Sequence, residues 1–153
     1  MAIHKVDGVD GDANFPKKFV RLNITLAASG TITKGQWVSI DTGDSTNGLG
    51  GSVKLAPATS LGAVGVVGVA AETITNPSGS DTLSIPLKVQ TAGKFENAYV
   101  TTDVAASVGI VVDTTPGRAD IAEAADKVSP CGMTLEVAVA HLADVMIYDR
   151  NMF

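Results

Sequence analysis

Apolar and polar residues alternate over residues 19–26, with Val20, Leu22 and Ile24 on one face and Arg21 on the other. A period of two is typical of a β-strand with one buried face. Further short apolar segments follow, most of them bounded by residues that favour turns. The pattern predicts additional strands over residues 36–40, 53–55, 62–72, 82–85, 88–96, 107–113, 133–140 and 145–148.

Three of these segments carry extra information. Pro86 follows the strand at 82–85 and indicates a sheet edge or a bulge, because proline cannot donate a ladder hydrogen bond. Residues 88–96 predict a strand, a bend and a second strand, since a glycine interrupts the alternation. Residues 119–127 are rich in Ala and acidic residues, so a short helix and a strand both remain open there.

Within residues 1–18, residues 7–12 (DGVDGD) are acidic and rich in turn-forming residues, and they have little apolar material to bury. We expect an extended N-terminal arm over residues 1–18, followed by a single β domain over residues 19–153. Asp7, Asp10 and Asp12 suggest a calcium loop at first sight. Their spacing does not match the EF-hand pattern, and no bidentate glutamate follows, so solvated turns are the preferred interpretation.

The composition favours strands over helices. Val and Ala dominate the apolar residues, and aromatic residues make up only 5% of the chain, so the core must be built from small β-branched side chains. We therefore predict an all-β fold, a compact β-barrel or β-sandwich of jelly-roll or tulip-like type with an N-terminal arm. Trp37, the single tryptophan, is expected in the core.

A weak internal repeat accompanies this pattern. Residues 67–72 match residues 131–136 in their order of glycine, apolar residues and glutamate. Upstream of each, residues from Gly35 onward resemble residues from Gly109 onward. Two related β units joined near residues 82–102 suit a closed barrel or a sandwich.

The charges are spread thinly along the chain. Formal net charge is −5, and Lys17 and Lys18 are the only adjacent basic residues. Binding to nucleic acid or to a membrane surface needs clustered basic residues, so we expect neither partner. The apolar run at 61–71 is too short and too rich in glycine to span a bilayer. The first residues lack the apolar stretch of a secretory signal, so synthesis in a cytoplasm is expected.

Candidate chemistry is sparse. The single cysteine, Cys131, permits no intrachain disulfide and reads as a small buried hydrophobe. His4 and His141 have no partners at metal-ligand spacing. A Cys131–His141 nucleophile pair and a pair of carboxylates for glycoside hydrolysis stay open from sequence alone. The glycines of residues 62–70 do not open a helix, which argues against a nucleotide loop. We predict no catalytic, cofactor-binding or metal-binding residues, and no cofactor.

Four stretches in one order resemble the capsid decoration, or cement, proteins of tailed phages. They are residues 29–40 (SGTITKGQWVSI), 64–72 (VGVVGVAAE), 90–96 (QTAGKFE) and 131–138 (CGMTLEVA). Each motif is short, and their order over residues 22–140 carries the resemblance. The acidic arm and the long polar loop at 41–51 depart from the family pattern.

The resemblance implies a structural virion protein that is not an enzyme. Such a protein binds the outer surface of the assembled capsid and stabilises it by clamping neighbouring subunits of the major capsid protein. Proteins of this kind sit on local symmetry axes, so a homotrimer is expected first and a dimer second. The competing hypotheses are a small carbohydrate-binding or adhesion module and an enzyme with a cryptic site. The low aromatic content argues against the carbohydrate-binding module.

Overall fold

The computed structural model describes residues 16–43, 52–60, 62–101, 104–124, 126 and 128–149. Within these ranges the chain forms eleven β-strands and no helix, which confirms the all-β prediction. The strands are β1 (Lys18–Leu26), β2 (Thr31–Ile32), β3 (Trp37–Ile40), β4 (Ser52–Leu55), β5 (Val66–Ala70), β6 (Ile74–Thr75), β7 (Leu83–Tyr99), β8 (Gly109–Thr115), β9 (Arg118–Ile121), β10 (Gly132–Thr134) and β11 (Leu142–Ile147).

Several predictions fall outside these ranges or are resolved by them. Residues 1–15 of the predicted arm and residues 44–51 of the polar loop lie outside the described residues. The open choice at residues 119–127 is resolved as strand up to Ile121, where β9 ends. Pro86 lies inside β7, in a part of that strand whose ladder partner is β1, with Pro86 opposite Asn23.

The prediction of a strand over residues 62–72 is too long. β5 begins only at Val66, because the chain turns at Gly65, where φ is +68°. This turn leaves Val64 74% exposed. A positive φ is readily adopted by glycine, so this glycine serves a turn rather than a close approach inside a buried strand.

The prediction of a strand over residues 133–140 is also too long. β10 ends at Thr134, and a tight turn follows at Ala140 and His141, which have φ values of +51° and +65°. The alternation at residues 135–139 therefore belongs to an exposed segment that carries apolar side chains.

The predicted bend inside residues 88–96 is replaced by a change of partner. β7 runs without a break for 17 residues. Its first part pairs with β1 up to Ala92, and its second part pairs with β11 from Gly93 onward. Gly93 has a φ of +90°, so the change of partner occurs at a residue that tolerates a twisted backbone.

The first half of the chain closes into a five-stranded barrel. The strands follow the order β1-β4-β3-β5-β7, and β7 pairs back onto β1. β1 and β4 run parallel, whereas the other neighbours run antiparallel. Closure satisfies the backbone groups of both edge strands.

The second half repeats this arrangement around the other end of β7. The order there is β7-β11-β10-β8-β9, and a parallel bridge between Val100 and Ala119 joins β9 to the end of β7. The Thr101 N–H strengthens this contact by donating to the Ala119 carbonyl at 2.8 Å. One strand thus serves as the last strand of the first barrel and the first strand of the second.

Residue-by-residue registers support the repeat. In the first barrel, Val69 on β5 lies opposite Gln90 on β7. In the second barrel, Met133 on β10 lies opposite Met146 on β11 in the same way. The glutamates of the two similar motifs also behave alike. Glu72 accepts the N–H of Lys88 at 2.8 Å, and Glu136 accepts the N–H of Asp144 at 3.0 Å, each through Oε1.

One part of the predicted repeat is out of register. Gly35 corresponds to Ser107 rather than to Gly109, because Gly35 donates to Ala70 at 2.9 Å and Ser107 donates to Thr134 at 2.9 Å. Both residues have positive φ, +100° at Gly35 and +60° at Ser107. The sequence comparison aligned Gly35 with Gly109 because the true counterpart of Gly35 in the second barrel is a serine.

The interiors of the two barrels are built from corresponding residues. Every one of these side chains is at most 2% exposed, although their sizes differ. The first barrel contains Ile24, Ile32, Val38, Val53, Ala70, Leu87 and Val89, and the second has Val100, Val104, Ile110, Ala119, Thr134, Ala143 and Val145 at the same places.

Trp37 joins the two barrels, which confirms its predicted place in the core. It lies on β3 beside Val38, whose side chain belongs to the interior of the first barrel. The indole instead packs in a second cluster with Phe95 and Cys131. Its Nε1–H donates to the Tyr99 carbonyl at 3.0 Å. Because the indole is fully buried, it fixes the first barrel against the second.

Gly68 offers a test of this packing. A Cβ at this position would lie 2.0 Å from the backbone oxygen of Gln90 on the neighbouring strand. Gly68→Ala therefore has to push β5 away from β7, and we expect the free energy of unfolding to fall by about 1–3 kcal/mol. Gly79→Ala is the matched control, because no atom lies within 4 Å of its added Cβ. Urea denaturation of both variants measures the effect, and equal stabilities would contradict the packing described.

Candidate functional site

The described residues that the sequence analysis considered for catalysis or metal binding contribute to packing and turns in the structure. Cys131 is buried, and its thiol lies 3.3 Å from the Ile110 carbonyl, in agreement with the predicted small buried hydrophobe. His141 lies in the turn before β11, and its backbone carbonyl accepts the Val100 N–H at 2.9 Å. His4 lies outside the described residues. No group of three or more His, Cys, Asp or Glu side chains within the described ranges is arranged to hold a metal ion.

Four lysines from three separate parts of the sequence line one open cleft of about 300 Å³. We call it the cationic cleft, and its lysines are Lys17, Lys34, Lys88 and Lys94. Phe19 and Phe95 contribute aromatic surface, and Glu96 is the carboxylate of the lining. The sequence analysis missed this site because it counted basic residues along the chain, where only Lys17 and Lys18 are adjacent.

The cleft lies where β7 leaves the first barrel for the second, and short backbone contacts fix its lysines. The Lys34 N–H donates to the Thr73 hydroxyl at 2.9 Å. Lys88 is held on both sides, since its N–H donates to Glu72 and its carbonyl accepts the Ala71 N–H at 2.8 Å. The backbone positions of these two lysines are therefore set by the residues that follow β5.

Side-chain contacts leave the cleft only partly neutralised. The Lys88 ammonium lies 4.4 Å from the centre of the Phe19 ring, a cation–π contact rather than an ion pair. Lys94 lies 3.3 Å from an Asp144 carboxylate oxygen and 3.8 Å from one of Glu96. Lys34 is exposed, and no carboxylate of the described residues lies within 4.0 Å of its ammonium.

The second barrel shows that the fold does not require these lysines. By the registers given above, Lys34 corresponds to Ala106 and Lys88 to Asp144. Ala71, which lies between these two lysines in the first barrel, corresponds to Leu135 in the second barrel. The same framework thus carries a cationic cleft on one barrel and uncharged or acidic residues on the other.

A second surface belongs to the other barrel. Leu135, Val137 and Val139 are 39%, 59% and 73% exposed, and we call this row the apolar ridge. In the first barrel, Ala71 corresponds to Leu135, and Thr73 and Thr75 correspond to Val137 and Val139. Exposed apolar side chains in a row are typical of surfaces that contact another molecule.

The turn at the end of the apolar ridge is strained. Val139 and Leu142 exchange backbone hydrogen bonds of 2.9 and 3.0 Å around Ala140 and His141. Both turn residues have positive φ, a conformation that residues with a Cβ adopt at a cost. The ladder and the turn together hold the ridge in a defined shape.

A third feature is a set of aspartates that includes Asp113 on β8 and Asp120 on β9. Partial burial raises the pKa of Asp113 above its ordinary value of 3.8, and the neighbouring carboxylates of Asp120 and Asp126 raise it further, while the Thr114 N–H partly offsets the shift. One carboxylate oxygen of Asp113 is buried without a hydrogen-bond partner. Turn formation alone does not account for this environment.

The raised pKa of Asp113 predicts a pH-dependent effect on stability. The folded state holds the proton more tightly than the unfolded state, so the ionised group destabilises the protein at neutral pH. We expect Asp113→Asn to be more stable than the parent chain at pH 7, with the difference shrinking as the pH falls toward 3.8. Glu123→Gln removes an exposed charge of the same sign nearby and serves as the control. Urea denaturation at several pH values measures the difference, and a pH-independent gap would contradict this account.

Comparisons with known proteins give one informative likeness. No protein-family model and no curated protein matches the chain. Among solved structures, the chain is similar to one described as the crystal structure of the head fiber gp8.5 N base in bacteriophage phi29. The TM-score is 0.51 at 13% sequence identity, and the match covers 85% of this chain and 96% of that chain. No helix in the described ranges is long and apolar enough to cross a membrane. At this identity the likeness shows that the two chains share an all-β fold.

Proposed function

We propose that this chain is a structural virion protein of a tailed phage, located on the outer surface of the capsid. There it binds the assembled shell and stabilises it by clamping neighbouring subunits of the major capsid protein, without a catalytic step. The observation that carries the proposal is the shared fold with a phage head-fibre base over 85% of the chain. The ordered motifs that resemble capsid decoration proteins support it independently.

The fold explains why those motifs recur without pointing to contact residues. Residues 64–72 and 131–138 contain β5 and β10, and residues 90–96 contain the point where β7 changes partner. Residues 29–40 contain Trp37, which joins the barrels. The motifs therefore describe the framework, and the capsid contacts are to be sought on its surface.

Binding alone can supply the stabilisation. A protein that binds only the assembled shell stabilises it by RT ln(1 + [L]/Kd) at each site, and many equivalent sites multiply this gain. Two closed barrels with a common buried cluster suit this role, because a rigid body loses little conformational entropy on binding.

A homotrimer, or failing that a dimer, is part of the proposal. Few free edges remain among the described strands for self-association, because the first barrel is closed and a bridge joins β9 to the end of β7, which leaves the short sheet of β2 and β6 with open edges. The apolar ridge is a better candidate for contact with a second copy. It combines Val137 and Val139, both well exposed, with a rigid turn.

The ridge predicts a change in association state. Val137→Thr/Val139→Thr gives these positions the residue type that the first barrel has at Thr73 and Thr75. We expect the parent chain to form a concentration-dependent oligomer and the variant to shift toward monomer, with little change in unfolding free energy because both side chains are exposed. Sedimentation measures this shift, and Val64→Thr is the matched control, because it makes the same change at a valine that is 74% exposed and lies outside the ridge. A parent chain that stays monomeric at high concentration would refute the oligomer.

The function itself predicts a gain in capsid stability. We consider expanded capsids of the cognate phage that lack this protein. Addition of the protein should raise the temperature at which they disrupt, and this rise in temperature should level off when all binding sites are full. Removal of residues 1–15 should weaken binding if the arm takes part in the clamp. Co-sedimentation and thermal disruption measure these effects. An unchanged disruption temperature at saturating protein, with no co-sedimentation, would exclude the proposed function.

A further inference from the structure

We propose that the cationic cleft is a binding site for an acidic polypeptide segment, one that carries Asp or Glu side chains on the surface of the particle. This inference rests on the proposed function for the location of its partner. Its chemistry rests on Lys34, Lys88 and the two phenylalanines of the cleft.

Clustered lysines in this chain call for an explanation beyond solubility. The formal net charge is −5, yet the cleft gathers four lysines and one glutamate. Like charges held close together repel each other and destabilise the fold unless opposite charges are supplied. Within the described residues Lys94 has Asp144 and Glu96 nearby, whereas Lys88 stacks on an aromatic ring. Carboxylates from a partner would complete the neutralisation.

The internal repeat argues against barrel closure as the reason for the lysines. The second barrel closes in the same way with Ala106 and Asp144 at the positions of Lys34 and Lys88. Both barrels keep the glutamate that anchors the neighbouring backbone, Glu72 or Glu136. The fold therefore needs the glutamate at this place, and the lysines are free to serve recognition.

The lining favours a polypeptide over a nucleic acid. Phe19, Phe95 and Ala71 give the cleft apolar surface that suits side chains of a peptide. Glu96 on the rim opposes a continuous row of phosphates. A volume of about 300 Å³ accommodates a few residues of an extended chain. The acidic remainder of the protein also repels a long polyanion, whereas a short acidic segment feels mainly the cleft.

The first test uses the isolated protein and a defined probe. A labelled oligoglutamate peptide with one phenylalanine should bind the full-length chain, weaken with added salt, and bind better than the oligoglutamine counterpart. Lys34→Gln/Lys88→Gln should weaken binding about tenfold, since two charged contacts are lost. Lys34→Arg/Lys88→Arg should retain it. Lys54→Gln/Arg118→Gln removes the same charge outside the cleft and should bind like the parent chain.

Other occupants give different results in the same experiment. Equal or tighter binding of a short DNA duplex, lost in the cleft variant, would overturn the choice of a polypeptide. Peptide binding that appears only after removal of residues 1–15 would assign the cleft to the chain's own acidic residues, and would overturn the external partner. Equal peptide binding by the cleft variant and the outside-cleft control would overturn the site. Circular dichroism confirms that each variant is folded.

The second test separates this inference from the proposed function. Expanded capsids are incubated with the parent chain, the cleft variant and the outside-cleft control, and co-sedimentation is measured. Reduced binding by the cleft variant alone supports the cleft as a capsid contact. Equal binding by all three overturns the cleft while the proposed function stands. No binding by any of them removes the proposed function, and the peptide experiment then decides whether the cleft still recognises acidic chains.

Discussion

The structure depends on the hydrogen bonding of a single strand. β7 closes the first barrel with its N-terminal part and opens the second with its C-terminal part. Neither ring exists without it, because each would then have two free edges with unsatisfied backbone groups. The change of partner at Gly93 and the burial of Trp37 follow from this arrangement, since two barrels on one strand must be fixed against each other.

The repeated strand arrangement lets one framework carry two kinds of surface. Interior positions accept different sizes, such as Leu87 in one barrel and Ala143 in the other, because the shared cluster around Trp37 fills space at the junction. Backbone anchors are retained, as the paired roles of Glu72 and Glu136 show. Exposed positions have diverged most, into lysines on the first barrel and apolar residues on the second. Such division gives a small protein two surfaces of different chemistry.

Sequence patterns predicted the parts of the fold that depend on local alternation. The strand predicted over residues 19–26, which β1 extends by one residue, and the burial of Trp37 followed from the residues themselves. The end of β10 did not, because residues 135–139 alternate as a buried strand would, although their apolar side chains face outward. The cationic cleft was equally hidden. Its lysines meet only because the turn before β3 is brought against β7, and that depends on ring closure.

The sharing of β7 also sets the order in which the chain can fold during synthesis. The first ring is complete in sequence once residues up to Ala92 have left the ribosome, since β1 pairs no further along β7. The second ring needs β11, which ends at Ile147. Until then the C-terminal half of β7 has an unpaired edge, carried on a barrel that is already closed. The order of synthesis therefore allows a stage in which a finished first barrel presents an open strand to its surroundings until β11 arrives.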